Sequence, residues 1–297
     1  MKIRDTLSLI WLAAIWGASF LFMRVAVPEF GAVPLITVRV VLAGLFLLPL
    51  VFWRKKQLEL VNNIFPICVV GIISSAIPFT LIAYSTLYVT AGFASVLNAA
   101  TPIFSALVAF TWLKQRLSKM AFVGLSVGMG GVILLVKDKI GFENAEQGET
   151  AIAILAGLVS TFAYGFGANY SKKKLMGIDP VTITAGSQLV AAIVLLPLAI
   201  YWWPNEMPST NSWINAILLA ILCTAIAQII FFKLIQNIGA TNTTTVTFLI
   251  PIFGLLWGYL FLAEAVPIDT IIAGGVILLG TALANGLIKI RKNSSKP

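Results

Sequence analysis

Charged side chains are scarce in this 297-residue chain, and their scarcity identifies its solvent. Only 10% of the residues are Asp, Glu, Lys or Arg, whereas 59% are hydrophobic. A soluble domain carries roughly 25% charged residues, so the polar side chains here are too few to cover a surface in water. Because residues 60–113 contain no charge at all, we predict an integral membrane protein.

Histidine is absent and cysteine is rare, which narrows the chemistry. Without His, the chain lacks the commonest metal ligand and the commonest general base. Cys68 and Cys223 both lie in apolar runs, where a free thiol acts as a small hydrophobe. Asp-rich motifs are also missing, so a membrane-embedded transferase would have no evident catalytic centre. We therefore expect no enzyme activity, no metal and no cofactor.

Long apolar runs with short polar connections predict an all-α integral membrane protein. A spanning helix takes about 20 apolar residues, so the uncharged run 60–113 has room for two helices, with a break near 84–92. The basic N-terminus resembles a signal sequence, but no small-residue cleavage site follows, and we expect this segment to stay as the first helix. The ten predicted transmembrane helices cover 7–24, 33–53, 64–84, 91–113, 120–137, 151–171, 180–203, 212–233, 239–262 and 268–289.

The distribution of Lys and Arg predicts an orientation. If the N-terminus is cytoplasmic, 16 of the 20 basic residues fall in cytoplasmic segments. This is the asymmetry of the positive-inside rule, so we predict a multi-pass protein of the cell inner membrane with both termini in the cytoplasm. The +9 net charge then reflects topology and anionic lipid rather than nucleic acid.

A weak internal repeat relates the two halves of the chain. The triplet PIF occurs at 102–104 and again at 251–253, a shift of 149 residues that also places Gly131 on Gly280. Five helices per half is an odd number, so the second half would enter the membrane with the opposite orientation. Such inverted repeats bind substrate near the bilayer midplane; chance similarity between apolar helices is the alternative. The predicted parts are a first repeat at 7–137, a polar external connector at 138–150, a second repeat at 151–289 and a basic cytoplasmic tail at 290–297.

Proline and small polar residues interrupt the fourth and ninth predicted helices. Pro102 and Pro251 each free a carbonyl four residues earlier, at Asn98 and Thr247, and so are candidate hinges beside a cavity. The small residues that follow each proline would let the two helices approach closely around the pseudo-two-fold axis. A static kink whose polar residues bond to neighbouring helices is the alternative.

Further polar and aromatic side chains lie where hydrocarbon disfavours them, and we predict that they line a substrate cavity. For Trp16 core packing is the alternative, and for each Gln it is hydrogen bonding between helices. The predicted cavity residues are Trp16, Ser19, Arg39, Tyr84, Asn98, Thr101, Tyr164, Gln188, Gln228, Thr247 and Trp257.

Two charged residues have open assignments. Arg39 lies inside the second predicted helix, where it either faces the cavity and attracts a carboxylate or phosphate, or extends to the headgroups. Glu264, after the ninth helix, is either a gate that links transport to protons or a solvated loop acid. No acid lies at the centre of a predicted span, so proton coupling stays open.

Three features recur in a known family of transporters: the motif WGASF at 16–20, Arg39, and the PIF segment that ends in LAE at 262–264. Together they resemble the drug/metabolite transporter superfamily, in its EamA-domain branch. The resemblance covers about 7–290 and implies ten helices in two five-helix repeats. Members often carry an acid after the fourth helix, where this chain has Lys114, Gln115 and Arg116. A role for paired acids is therefore in doubt.

These patterns favour a secondary transporter of a small polar or amphipathic metabolite, with the two halves rocking around a central cavity. The resemblance implies amino acids or related metabolites, with nucleobases and drugs as alternatives, and we expect export. A lipid flippase or scramblase with a groove open to lipid is the alternative. Substrate identity and a monomeric or homodimeric state stay open.

Overall fold

The structure, a computed structural model, describes residues 2–139, 145–239, 243–284 and 286. These residues form helices joined by short connections, and no strand occurs among them. The helices are α1 (Ile3–Phe30), α2 (Ala32–Trp53), α3 (Gln57–Asn62), α4 (Ile64–Gly71), α5 (Ile77–Tyr88), α6 (Ala91–Asn98), α7 (Thr101–Thr111), α8 (Lys119–Val136), α9 (Ala145–Lys174), α10 (Pro180–Tyr201), α11 (Thr210–Ala220), α12 (Ala227–Ile238), α13 (Val246–Leu262) and α14 (Ile268–Ala284).

Eight helical segments of the described residues are long and apolar enough to cross a membrane, which confirms a multi-pass helical protein. They correspond to the first eight predicted spans. The ninth and tenth predicted spans appear as the shorter apolar helices α13 and α14. Parts of those two predictions, at 240–242, 285 and 287–289, lie outside the described residues.

The fourth predicted helix is two helices rather than one kinked helix. α6 ends at Asn98 and α7 begins at Thr101, with Pro102 in its first turn. Proline has no N–H to donate four residues back, and the Thr101 hydroxyl donates to the Asn98 carbonyl instead, at 2.8 Å. Pro251, by contrast, lies inside the unbroken α13.

Two segments of π-helix interrupt the third and eighth predicted spans. Ile72–Ala76 joins α4 to α5, and Ile221–Ile226 joins α11 to α12. Their first residues are 149 positions apart, and each segment lies near the middle of its span. A π-helical turn widens the helix and is frequent at functional sites.

The helices pack in two tight pairs and two larger groups. α2 packs along α10, and α8 packs along α14. At the second pair, a Cβ added to Gly280 would lie 2.3 Å from the backbone nitrogen of Gly128. Only glycine allows backbones to approach so closely.

The remaining helices form group A and group B. Group A contains α1, the α11–α12 segment and α13, whereas group B contains α9, the α4–α5 segment and the α6–α7 segment. Each group combines one helix from one half of the sequence with helices from the other half. The two sequence halves are therefore interleaved in space.

Groups A and B contact each other from the middle of the bundle to one of its ends. We call the end where α1 begins the Ile3 end, and the end where it finishes the Phe30 end. α1 and α13 contact α5 and α6, which lie toward the Phe30 end. Near the middle of α1, at the level of Gly17, Gly254 of α13 faces Ser95 of α6 so closely that an added Cβ would clash with the Ser95 hydroxyl oxygen.

Candidate functional site

A polar pair from the two halves lies deep in the bundle. Arg39 is seven residues into α2, about 10 Å from the Phe30 end of that helix at 1.5 Å per residue. Its Nε donates to the Thr224 hydroxyl at 2.9 Å, and Thr224 belongs to the second π-helical segment. The Thr224 hydroxyl donates in turn to the Leu219 carbonyl, at 3.0 Å. Arg39 therefore extends into the bundle and not to the headgroups.

Neutral groups surround the guanidinium of Arg39. Its Cζ lies 3.7 Å from the centroid of the Phe79 ring, and its Nη1 lies 4.0 Å from the Met23 sulfur. The Phe79 ring is in turn 6.1 Å from that of Tyr164, so the structure brings two predicted cavity residues to one place. Arg39 is only 6% exposed.

A second polar pair occupies the corresponding place in the other half. Gln188 of α10 donates through Nε2 to the Ser75 hydroxyl at 3.0 Å, and Ser75 belongs to the first π-helical segment. Arg39 and Gln188 are 149 residues apart, and so are Ser75 and Thr224. The Gln188 Oε1 is buried with no hydrogen-bond partner among the described residues.

Glu264 ties groups A and B together at the Phe30 end. Its carboxylate accepts the backbone N–H groups of Ala91 at 2.9 Å and Gly92 at 3.3 Å, the first N–H groups of α6. Helix N-termini stabilise anions because their N–H groups are unpaired and the helix dipole is positive there. Arg24 of α1 approaches the same carboxylate at 3.9 Å.

Arg24 also crosses between the groups. Its Nη1 donates to the backbone carbonyls of Thr86 and Leu87 at the end of α5. We call Arg24, Glu264 and their backbone partners the Phe30-end lock. A cavity of about 320 Å³ adjoins the lock, lined by Tyr88, Val89, Thr90, Gly92, Phe93, Lys139, Thr150, Leu255, Glu264, Ala265, Val266, Pro267 and Thr270.

The aromatic candidates contact neighbouring helices. The Trp16 ring lies 5.2 Å from that of Phe231, which is on α12. Trp257 donates through Nε1 to the Ala14 carbonyl at 2.9 Å, which joins α13 to α1. Both tryptophans therefore hold group A together.

The small polar candidates bond mainly within their own helix or turn. Ser19 donates to the Trp16 carbonyl, and Thr247 donates to the Thr244 carbonyl at 2.9 Å. Their hydroxyls are thus satisfied locally, as Ser and Thr often are in helices.

Among the described residues, no hydrogen bond or ring contact joins the remaining candidates to the central cluster, by which we mean Arg39, Thr224, Gln188 and Ser75. Asn98 and Thr101 bond to each other across the α6–α7 break. The Tyr84 ring contacts Tyr88, 5.4 Å away, toward the Phe30 end. Gln228 is partly buried, on α12.

Sequence reasoning missed four residues of these clusters: Ser75, Phe79, Thr224 and Arg24. Ser75 and Thr224 had a detectable signal, because they are hydroxyl residues separated by the repeat shift of 149. Phe79 and Arg24 had none, because a phenylalanine in an apolar helix and an arginine near a span end are both ordinary.

Comparison with known proteins assigns the chain to a family. The model of the EamA-like transporter family matches residues 6–137 and 151–286, two separate matches that together cover most of the chain. The chain belongs to the EamA-like transporter family. It is therefore a membrane transporter, which confirms the resemblance read from the sequence.

Relatives of this transporter support the same class. It is similar to the uncharacterized transporter YvbV of Bacillus subtilis, with 23% identity over 99% of this chain and 94% of that one. It is also similar to protein PagO of Salmonella typhimurium, with 26% identity over 95% and 94%. The uncharacterized inner membrane transporter YedA of Escherichia coli shares 25% identity over 91% and 86%.

A crystal structure of another protein has the same fold. It superposes with a TM-score of 0.66 and covers 97% of this chain and 98% of its own, at 18% identity. This likeness concerns the arrangement of helices alone.

Proposed function

We propose that this transporter exports a small polar or amphipathic metabolite, an amino acid or a related compound, across the inner membrane by alternating access. The observation that carries the proposal is the pair of hydrogen bonds at the centre of the bundle, Arg39 to Thr224 and Gln188 to Ser75. In hydrocarbon such side chains are costly unless they are paired or serve a substrate path.

The equivalent placement of these pairs supports an inverted repeat. Each pair joins a helix of one half to the π-helical segment of the other half, at matching positions. The packing is matched too: α1 contacts α13 as α9 contacts the α6–α7 segment. A substrate site on the pseudo-two-fold axis is the arrangement that inverted repeats use.

The interleaved packing supports moving units that differ from the sequence halves. Groups A and B each draw helices from both halves, so rocking of one half against the other would break the contact of α1 with α13. We propose instead that group A rocks against group B. The α2–α10 and α8–α14 pairs would then form the frame.

The Phe30-end lock is proposed as the external gate. In the described conformation Glu264 and Arg24 join groups A and B at this end, which supports a closed gate here. At the repeat-equivalent position the chain has the neutral Gln115, so no acid takes the place of Glu264 at the Ile3 end. With the Ile3 end in the cytoplasm, as the positive-inside rule favours, this conformation is closed to the outside.

Lipid translocation, the alternative function, would use a groove open to lipid, and a groove of about 870 Å³ lies beside α7 and α8. Its lining is mainly apolar and includes Leu107, Phe110, Phe122, Val123, Met129 and Ile133. A headgroup would need a continuous polar path, which this lining does not provide. The groove therefore supports contact with lipid tails better than lipid transport.

Counterflow in proteoliposomes tests the proposal. Vesicles are preloaded with unlabelled amino acids, nucleobases or amines, and entry of the labelled solute is followed. We expect saturable counterflow for one class, with loss of transport in Arg39→Ala and Gln188→Ala. Absence of counterflow for every solute, with folded protein and scrambling of labelled lipid, would overturn the carrier assignment.

A further inference from the structure

Arg39 carries a positive charge that no described residue balances. The ion pairs of the described residues involve Arg24, Arg54, Lys56 and Lys137. The groups that contact Arg39 are a hydroxyl, a phenyl ring and a thioether, and the Tyr164 phenol and the Cys223 thiol lie nearby; no carboxylate is among them. A buried charge without a counter-ion is strongly disfavoured, so its presence calls for an explanation.

Packing does not require this charge. The same junction of a helix with a π-helical segment is made in the other half by the neutral Gln188 and Ser75. An amide therefore satisfies the geometry at the corresponding place. The guanidinium at Arg39 adds a charge and further N–H donors to a junction that closes without them.

The free donors suit an anion. A guanidinium has five N–H donors, and the Thr224 hydroxyl and the Met23 sulfur each engage one nitrogen. Its planar fork binds carboxylates through two parallel hydrogen bonds. The Phe79 ring covers one face of the guanidinium. An anion would therefore bind at the edge of the guanidinium.

We propose that Arg39 is the anion-binding residue of the transport site and that the carried solute has a carboxylate group, or another anionic group, that docks on it. This inference rests on the proposed function, because the described conformation encloses Arg39 and a ligand reaches it only when groups A and B separate.

Ligand binding tests this inference without transport. The melting temperature of the purified protein is measured at increasing concentrations of matched solutes, and its rise gives the affinity. The members of each pair differ in having a carboxylate or a carboxamide: leucine and leucinamide, and phenylacetate and phenylacetamide. We expect wild type to bind at least one carboxylate at least tenfold more tightly than its amide. Arg39→Gln should abolish this preference, and Arg39→Lys should keep part of it.

A matched control and a ligand-free readout complete the test. Arg116→Gln makes the same change at an exposed arginine and should keep the preference. Without ligand, Arg39→Gln should melt at a higher temperature than wild type, because the uncompensated charge is gone.

Three results would overturn the inference. They are equal binding of amides, no binding of any carboxylate, and a preference that survives in Arg39→Gln. Carboxylate binding without counterflow would leave the anion site standing and count against the carrier assignment alone.

Discussion

Replacing Glu264 by Gln should open the Phe30-end lock. The carboxylate accepts two N–H groups of α6, at 2.9 and 3.3 Å. Gln has one acceptor oxygen, so the variant loses one charge-assisted hydrogen bond, worth about 1.5–3 kcal/mol. The 3.9 Å approach of Arg24 adds little, because side chains that are 33% and 10% exposed are partly screened.

This loss of free energy changes the ratio of the open state to the closed state. If Glu264 makes these bonds only in the closed state, a loss of about 1.5–3 kcal/mol raises the open-to-closed ratio about 10- to 150-fold. A thiol introduced by Ser95→Cys reports the opening, because Ser95 is fully buried where α6 faces α13. Its rate of reaction with a membrane-impermeant maleimide, added outside, should rise at least tenfold in the Glu264→Gln background.

Two controls define the outcome. Glu206→Gln changes an exposed acid and should leave the rate at Ser95→Cys unchanged. Reaction at the native thiols Cys68 and Cys223 is subtracted with the chain that lacks the added cysteine. An unchanged or slower rate in Glu264→Gln, with correctly folded protein, would refute the reasoning about the lock.

Three further predictions concern stability, each measured by thermal unfolding in detergent. Gly280→Ala should destabilise by about 1–3 kcal/mol through overpacking, since its Cβ would lie 2.3 Å from a backbone nitrogen of α8, whereas Gly275→Ala, with open space around it, should not. Trp257→Phe should cost about 0.5–1.5 kcal/mol by losing its bond to the facing carbonyl of α1. The hydrogen bond from Lys56, followed by one from the Asp179 backbone, lowers the pKa of Glu59 below its usual 4.5. The stability that the ionised Glu59 adds to the fold is therefore complete above pH 4.5 and is lost as the pH falls through the lowered pKa. Glu59→Gln should melt at a lower temperature than wild type at neutral pH, and the difference should disappear in acid.

The helices were predictable because their signal is local. Composition alone shows that the solvent is a bilayer, and a bilayer requires each backbone N–H and carbonyl to be paired within its own segment. The break predicted near 84–92 is confirmed, with α5 ending at Tyr88 and α6 beginning at Ala91.

The break within the fourth helix was only half predictable. Pro102 and Asn98 indicated a distortion, because proline frees a carbonyl four residues back. Whether the helix bends or ends depends on what satisfies that carbonyl. Thr101 does so locally, whereas Pro251 sits in a helix that continues.

The contacts of the central cluster could be found only from the tertiary structure. The shift of 149 residues relates Arg39 to Gln188 on the printed sequence, but nothing in it says that Arg39 meets Thr224, 185 residues away. That contact depends on how α2 crosses the second π-helical segment. The sequence also left open whether Arg39 extends to the headgroups, and its bond to Thr224 places it inside the bundle.

By itself, the sequence determined the membrane, the family and the first eight spans, because hydrophobicity and helix length act within one segment at a time. Only the tertiary structure decided that α1 packs with α13 and that Glu264 caps α6. The physical reason is that apolar helix faces in a bilayer are nearly interchangeable, so partners are selected by close backbone approach and a few polar contacts between residues far apart in the chain.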